Sequence, residues 1–374
     1  MPKQIVVKTQ QRNYPVLIGR DLGMSLVRAI QKIMPQGKIL IVTHPNLFRI
    51  YGKHLVHLLN RVGLKTLSMT LPQGEASKSQ KFVSKIYSTL LRHHFTRSDA
   101  VLALGGGVIG DVGAFAASTY MRGLRLIHVP TSLLAQVDSA IGGKTAIDLA
   151  QGKNLIGTFY QPHLVACDVS TLRTLPMVDL KAQLAEVIKY GVIQKPALFS
   201  YLEKNMARIL KKDLNALEHI VKVSVQIKAR VVALDEEEKK GIREILNYGH
   251  TFAHAFETVG KYKKLSHGQA VALGMICAAR LAVNLKIFSR QEEARQMFLI
   301  QKAGLPTSLK PFSFSASQVI KVMKHDKKVK NGHIRFVLPQ KIGKVIVRPI
   351  LESRLHRLLL EMSCGKIKSL SYLK

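Results

Sequence analysis

Acidic residues are scarce in this chain of 374: Asp and Glu number 23 against 57 Lys and Arg, for a formal net charge of +34. Such an excess concentrates anionic substrates near the surface and invites non-specific binding to nucleic acid. The basic residues are spread along the chain, however. The short clusters, Lys321–Lys330 and the tail after Arg354, lack the interleaved aromatics of a single-strand binder, which argues against a dedicated nucleic-acid protein. Cysteine is scarce too. Cys167, Cys277 and Cys364 are far apart, odd in number and without a C-x-x-C, so they read as free thiols of a reducing compartment. Long apolar runs are absent. The longest, Ala270–Ala279, is closed by Arg280, too short for a bilayer and suited to a buried helix. The opening MPKQIVVKTQ has no apolar core of a signal peptide, so the cytoplasm is the expected location.

The length predicts two domains. Residues 4–8 and 14–19 read as an opening β-hairpin. From Lys38 onward apolar strands (38–43, 66–71, 99–106, 125–130, 164–168) alternate with helical segments near 46–62, 78–94 and 108–120. That pattern predicts a parallel sheet covered on both faces. Beyond residue 176 the strand signal fades, and 179–192, 196–233, 242–259, 268–286 and 290–303 read as helices. Two weak strands (333–339, 344–349) and an amphipathic helix follow. The predicted class is therefore α/β, with a Rossmann-like parallel α/β domain over 1–176 and a mainly helical domain over 177–374. A ligand site is expected in the cleft between them.

Gly105-Gly106-Gly107-Val108-Ile109-Gly110 fits G-x-G-x-x-G between a strand and a helix, where glycines admit a phosphate to a helix N-terminus. The next strand ends in Val129-Pro130-Thr131-Ser132, without the acid that holds a ribose hydroxyl in the ordinary dinucleotide fold. Asp111 reads either as a first-turn helix stabiliser or as a cofactor contact. Lys144 follows Gly142-Gly143 and Lys153 follows Gly152, a pairing suited to anion capture.

The segment Arg243–His254, REILNYGHTFAH, reads as a helix on which Arg243, Asn247, His250 and His254 fall in one stripe amid apolar neighbours. Two His one turn apart can present imidazoles to a metal, and a carboxylate such as Glu186 supplies the third ligand of an open zinc site. Glu186 also reads as the partner of Lys189 in an ordinary i,i+3 pair. His267, in SHG, competes with His254, and spacing alone favours His250 with His254.

The motifs LPQGEASKS, GGGVIGD, YMRG, VPTSLLAQVDSAIGGKT, GKNLIGTFYQP, LRTLP, AEVIKYG, REILNYGHTFAH and SHGQAV run in order from about residue 71 to 275, with HDKKV at 325–329. In this set and order the chain resembles the 3-dehydroquinate synthases, of the sugar-phosphate cyclase superfamily. The resemblance implies metal ligands Glu186, His250 and His267 for zinc or cobalt, with His254 facing substrate. It implies NAD contacts from Gln73, Gly74, Glu75, Ala76, Ser77, Lys78, Gly107, Val108, Ile109, Gly110, Asp111, Thr131, Ser132, Lys144, Lys153, Thr171, Leu172, Arg173 and Thr174. Substrate contacts are implied for Arg122, Asp138, Lys144, Asn154, Lys189, Lys228, Arg243, Asn247, His254 and Lys327. HGQ at 267–269 replaces the usual HGE, and the loop at 235–243 is one residue longer than usual, which bears on the alignment of Lys228.

The implied reaction converts 3-deoxy-arabino-heptulosonate 7-phosphate to 3-dehydroquinate and phosphate in the shikimate pathway. A homodimer is implied as well, with Arg122 acting across its interface, and no membrane or specific nucleic-acid partner. Rival readings are a cyclase making an inosose or valiolone ring, a metal-dependent polyol dehydrogenase, and a basic nucleic-acid binder.

Overall fold

The computed structural model describes residues 2–149, 151–325, 329–330 and 333–363. The chain divides into two compact units, one of residues 1–175 with 214–239 and one of residues 176–213 with 240–374. A single cut at 176/177 therefore does not describe the contacts. The helix Leu214–Leu234 belongs with the first unit, where it lies against the first strand and the turn Ala135–Ser139. The helical run expected over 196–233 is interrupted at Lys211–Asp213, with Lys212 in left-handed backbone (φ 57°).

The first unit is built on β1 (Lys3–Val7), β2 (Tyr14–Gly19), β3 (Lys38–Thr43), β4 (Lys65–Thr70), β5 (Ala100–Gly105), β6 (Arg125–Pro130), β7 (Lys144–Leu149), β8 (Gly152–Phe159) and β9 (Leu164–Asp168). Seven of these form one sheet in the order β1-β2-β9-β6-β5-β3-β4, parallel except for β1 on β2. Successive side chains point to opposite faces of a strand, and both faces are covered. Ile39 and Ile41 join Leu26, Val27, Ile30 and Leu59 of helices Gly23–Ile33 and Lys53–Arg61. Leu40 and Val42 pack on the other side with Val83, Ile86, Val112 and Ala116 of helices Gln80–Arg92 and Gly107–Thr119. Hence the strands read as unbroken apolar runs. The hairpin β7–β8 lies between the expected strands 125–130 and 164–168, where none is expected because lysine and glycine mask its alternation.

The second unit is mainly helical, with a small antiparallel sheet over 329–350. Its central helix His267–Asn284 packs on Met177–Ile193 and His250–Val259. Two glycines permit that closeness. A Cβ at Gly268 would lie 1.8 Å from the Ala182 carbonyl oxygen, and one at Gly274 2.0 Å from the Gly249 oxygen.

The expected single helix over 242–259 is broken. Residues Ile242–Asn247 form a 3₁₀ turn, Gly249 is left-handed (φ 81°), and the α-helix begins at His250. The stripe linking Arg243 and Asn247 to His250 and His254 is thus not one helical face. His250 is instead a helix-start residue.

Candidate metal centre and nucleotide-binding turn

Three elements of the second unit converge on one point. Glu186 comes from the middle of Met177–Ile193, His250 from the first position of its helix, and His267 from the first position of the next. One ligand atom from each lies within 4.8 Å of the others. Glu186 Oε1 is 3.3 Å from His250 Nε2 and 3.7 Å from His267 Nε2. A metal held at about 2.1 Å in a tetrahedron separates its ligand atoms by roughly 3.4 Å, so the group fits a divalent ion. Glu186 Oε2 is engaged by the Lys189 ammonium, which leaves Oε1 as the oxygen turned to the imidazoles. An acid and two imidazoles leave a fourth position for substrate.

The two rings are oriented differently. His250 Nδ1 donates to the Tyr248 carbonyl at 3.2 Å, and His267 Nδ1 donates to the Glu257 carboxylate at 3.2 Å. Both acceptors put the proton on Nδ1 and free Nε2 to act as a ligand. Burial works against ionisation of Glu186, but Lys189 and His250 outweigh it and hold its carboxyl well below the usual range. Burial, reinforced by Lys189, lowers the pKa of His250. Burial also pulls His267 down, yet the carboxylates of Glu186 and Glu257 push it up to about 10.

His254 does not join this group. Its ring stands edge-on to that of His250 at 5.6 Å, while His267 stands at 5.5 Å and supplies the third ligand atom. The set the resemblance implies, Glu186, His250 and His267, is the one that converges, against the preference of simple spacing for His250 with His254. Helical periodicity brings two rings close, but only tertiary packing decides where Nε2 points. Gln269 in place of Glu has a local explanation. It completes a capping box, its side chain accepting from the Ser266 N–H at 2.9 Å, so the amide does the work of a carboxylate there.

In the first unit the glycine turn lies where β5 ends and Gly107–Thr119 begins, with Gly106 as the capping residue. The N–H groups of Gly107, Val108 and Ile109 stand at the start of that helix, and Gly110 opens the intrahelical bonding by donating to Gly106 O. Asp111 pairs with Lys78 at 2.5 Å, and Lys78 also donates to Asn154. Burial pushes the Asp111 carboxyl up to about 6, with Lys78 opposing. Gln73, Gly74, Glu75, Ala76 and Ser77 lead into Lys78. Gly74 is left-handed (φ 106°), Ser77 Oγ donates to Pro72 O, and Glu75 meets Lys153 at 3.4 Å. Thr131 donates its backbone N–H to Gly105, and Ser132 Oγ accepts from Ala135 N–H. Buried Gln136 ties the Pro130 carbonyl to Thr171 in the turn that also carries Leu172, Arg173 and Thr174.

Two lysine pairs complete the picture. Lys228 reaches Asp138 at 2.6 Å, which brings together two of the expected substrate contacts despite the longer loop that follows. Lys144 is paired with Glu238 of that loop. Glu238, Glu257 and Gln136 are polar groups the sequence reading did not single out. Glu257 had one available signal, its position two helical turns after His250. Arg243 is buried and Asn247 half-buried on the 3₁₀ turn before His250. Arg122 is exposed in left-handed backbone (φ 65°), and Lys327 lies outside the described residues.

The fold is one that the sugar-phosphate cyclases share. A 2-deoxy-scyllo-inosose synthase, solved with carbaglucose-6-phosphate, NAD+ and Co2+, superposes with a TM-score of 0.86 at 26% identity, over 97% of this chain and 100% of that one. Within the class the sequence is more specific. Residues 68–182 match the family described as 3-dehydroquinate synthase N-terminal, and 183–329 match 3-dehydroquinate synthase C-terminal. The 3-dehydroquinate synthase of Desulforamulus reducens is 46% identical over 91% of this chain and 94% of its own length. That of Crocosphaera subtropica is 43% identical over 93% and 95%. The chain belongs to the 3-dehydroquinate synthase family and is an enzyme of 3-dehydroquinate synthesis.

Proposed function

We propose that the chain forms 3-dehydroquinate by an NAD- and metal-dependent phosphate lyase reaction, in which transient oxidation makes an otherwise inert C–H acidic. The substrate, 3-deoxy-arabino-heptulosonate 7-phosphate, holds its phosphate β to that C–H. Once the neighbouring hydroxyl is a ketone, phosphate can leave by elimination. Return of the hydride, ring opening and aldol closure then give the carbocycle. Bound NAD would supply the reversible hydride acceptor, and a bound zinc or cobalt ion would lower the pKa of substrate hydroxyls and offset alkoxide charge.

The residues divide the remaining work. Glu186, His250 and His267 hold the metal, and Lys189 fixes Glu186 and contacts substrate. The helix start at Gly107, Val108, Ile109 and Gly110 receives the cofactor's pyrophosphate. Asp111, Lys78, Lys153 and the segments Gln73–Ser77, Thr131–Ser132 and Thr171–Thr174 surround the rest of the cofactor. Lys144, Asn154 and Arg122 bind phosphate. Lys228, Arg243, Asn247 and Lys327 fix the carboxylate end, Arg243 by bidentate pairing. Asp138 positions Lys228 and contacts substrate, while His254 carries a proton near the leaving phosphate.

A homodimer is part of the same reading. Leu149, Leu155, Ile156 and Phe159 of the β7–β8 hairpin are exposed apolar side chains, suited to a second copy that would bring Arg122 across.

The observation that carries this reading is the convergence of Glu186 Oε1, His250 Nε2 and His267 Nε2. Identity also favours it over an inosose-type cyclase, at 46% against 26%. The test is incubation with the heptulosonate phosphate, NAD+ and zinc. Phosphate should be released with no net change at 340 nm, and His250→Ala should lose both bound zinc and nearly all turnover. Accumulating NADH, or full activity in metal-depleted His250→Ala, would refute it.

A further inference from the structure

We propose that Glu257 is a positioning residue of the metal centre, the group that orients His267 and strengthens it as a ligand. The inference rests on the metal-binding reading above. Glu257 lies seven residues after His250 on the same helix, so the two share a face two turns apart. Its carboxylate is within 3.2 Å of His267 Nδ1, on the side of the ring opposite the Nε2 that faces Glu186.

His267 needs such a tether more than its partner does. Its side chain is 39% exposed against 13% for His250. It follows a turn in which Lys261 and Tyr262 both adopt left-handed backbone (φ 50° and 55°). Left to itself, a half-exposed ring at a helix start can rotate about χ2 and present either nitrogen. A carboxylate only accepts, so Glu257 keeps the proton on Nδ1 and the lone pair on Nε2. It also lends negative charge to the ring, which makes Nε2 a stronger donor than an imidazole held by a neutral carbonyl. The two imidazoles are thus unequal. His250 is held by the Tyr248 carbonyl, whereas His267 is held by a full charge on a different helix. The same contact closes the chain from Gly260 to Ser266 between the two ligand-bearing helices.

The test uses the full chain stripped of metal, as wild type, Glu257→Gln and Glu257→Ala. Zinc affinity is read by competition with a chromogenic chelator, Co2+ binding by its visible absorption, and metal-free stability by urea unfolding. Glu257→Ala should bind zinc about 10- to 100-fold more weakly, as for loss of an outer-shell partner, with an altered Co2+ spectrum. Glu257→Gln keeps an accepting oxygen without the charge and should fall between. Metal-free stability should match among wild type and Glu257→Gln. Wild-type affinity and spectrum in Glu257→Ala would overturn the proposal. So would equal losses in both variants that track a lowered metal-free stability, since those mark a merely structural role. A wild-type chain that binds neither metal would instead overturn the metal centre itself, and this role with it.

Discussion

At the residue scale, the basic groups expected to grip anions are already held by acids of their own unit. Lys228 is buried against Asp138, whereas the Lys144–Glu238 and Lys153–Glu75 pairs stand half in solvent. Exposed pairs are worth at most about 1 kcal/mol, so an arriving phosphate can displace them easily. A buried pair is retained because breaking it strands a charge. The Lys78–Asp111 pair has a consequence for pH. Burial raises the Asp111 carboxyl to about 6, above an unfolded value of about 4. Between those values the native protein keeps a proton that the unfolded chain has released, so this group's contribution to stability falls as pH rises through the window and levels off above it. Urea unfolding in steps across that range should show wild type losing stability relative to Asp111→Asn. Parallel curves would contradict it. Asp111 itself was legible in the sequence as a residue after a glycine turn. Lys78 was legible too, as an implied cofactor contact, but its pairing with Asp111 thirty-three residues later was not, because only the fold of the sheet brings the two loops together.

At the scale of elements, close helix packing sets the geometry of the metal centre. Gly268 follows His267 directly, and its missing side chain lets the central helix approach Ala182, one turn before Glu186. Gly268→Ala should push these helices apart, lowering stability by about 1–3 kcal/mol or more and weakening zinc binding. Thermal unfolding of the metal-free protein and a zinc titration would measure the two. An unaltered melting temperature would show that the neighbouring backbone gives way without cost. The break at Tyr248-Gly249 is the element the sequence hid best. Apolar residues continue through it at helical spacing, while the left-handed Gly249 (φ 81°) turns the chain so that His250 opens a new helix. The β7–β8 hairpin was hidden for the opposite reason. Its strand pattern is interrupted by Lys144, Lys153 and glycines, and pairing rather than local preference makes it a sheet.

For the whole molecule, charge is the outstanding property. Residues 22–98 carry twelve Lys and Arg but a single acid, Glu75, so that stretch of the first unit presents a positive field to anions. The value of kcat/KM for a substrate bearing phosphate and carboxylate should therefore fall as ionic strength rises, with kcat changing less. An unchanged kcat/KM between low and physiological salt would remove steering from the account. Among the described residues no helix is long and apolar enough to cross a membrane, in line with the short apolar runs of the sequence. The amino-acid order alone determined the α/β alternation, the glycine turn at a strand end and the family, because each depends on residues near one another in the chain. The motifs also implied His267 over His254 as the third ligand, which spacing alone did not. Tertiary packing decided the rest: that Leu214–Leu234 joins the first unit, that the chain breaks at Gly249 before His250, and that Glu257 stands behind His267. Those outcomes depend on where side chains from distant segments point, and periodicity within one segment carries no information about that.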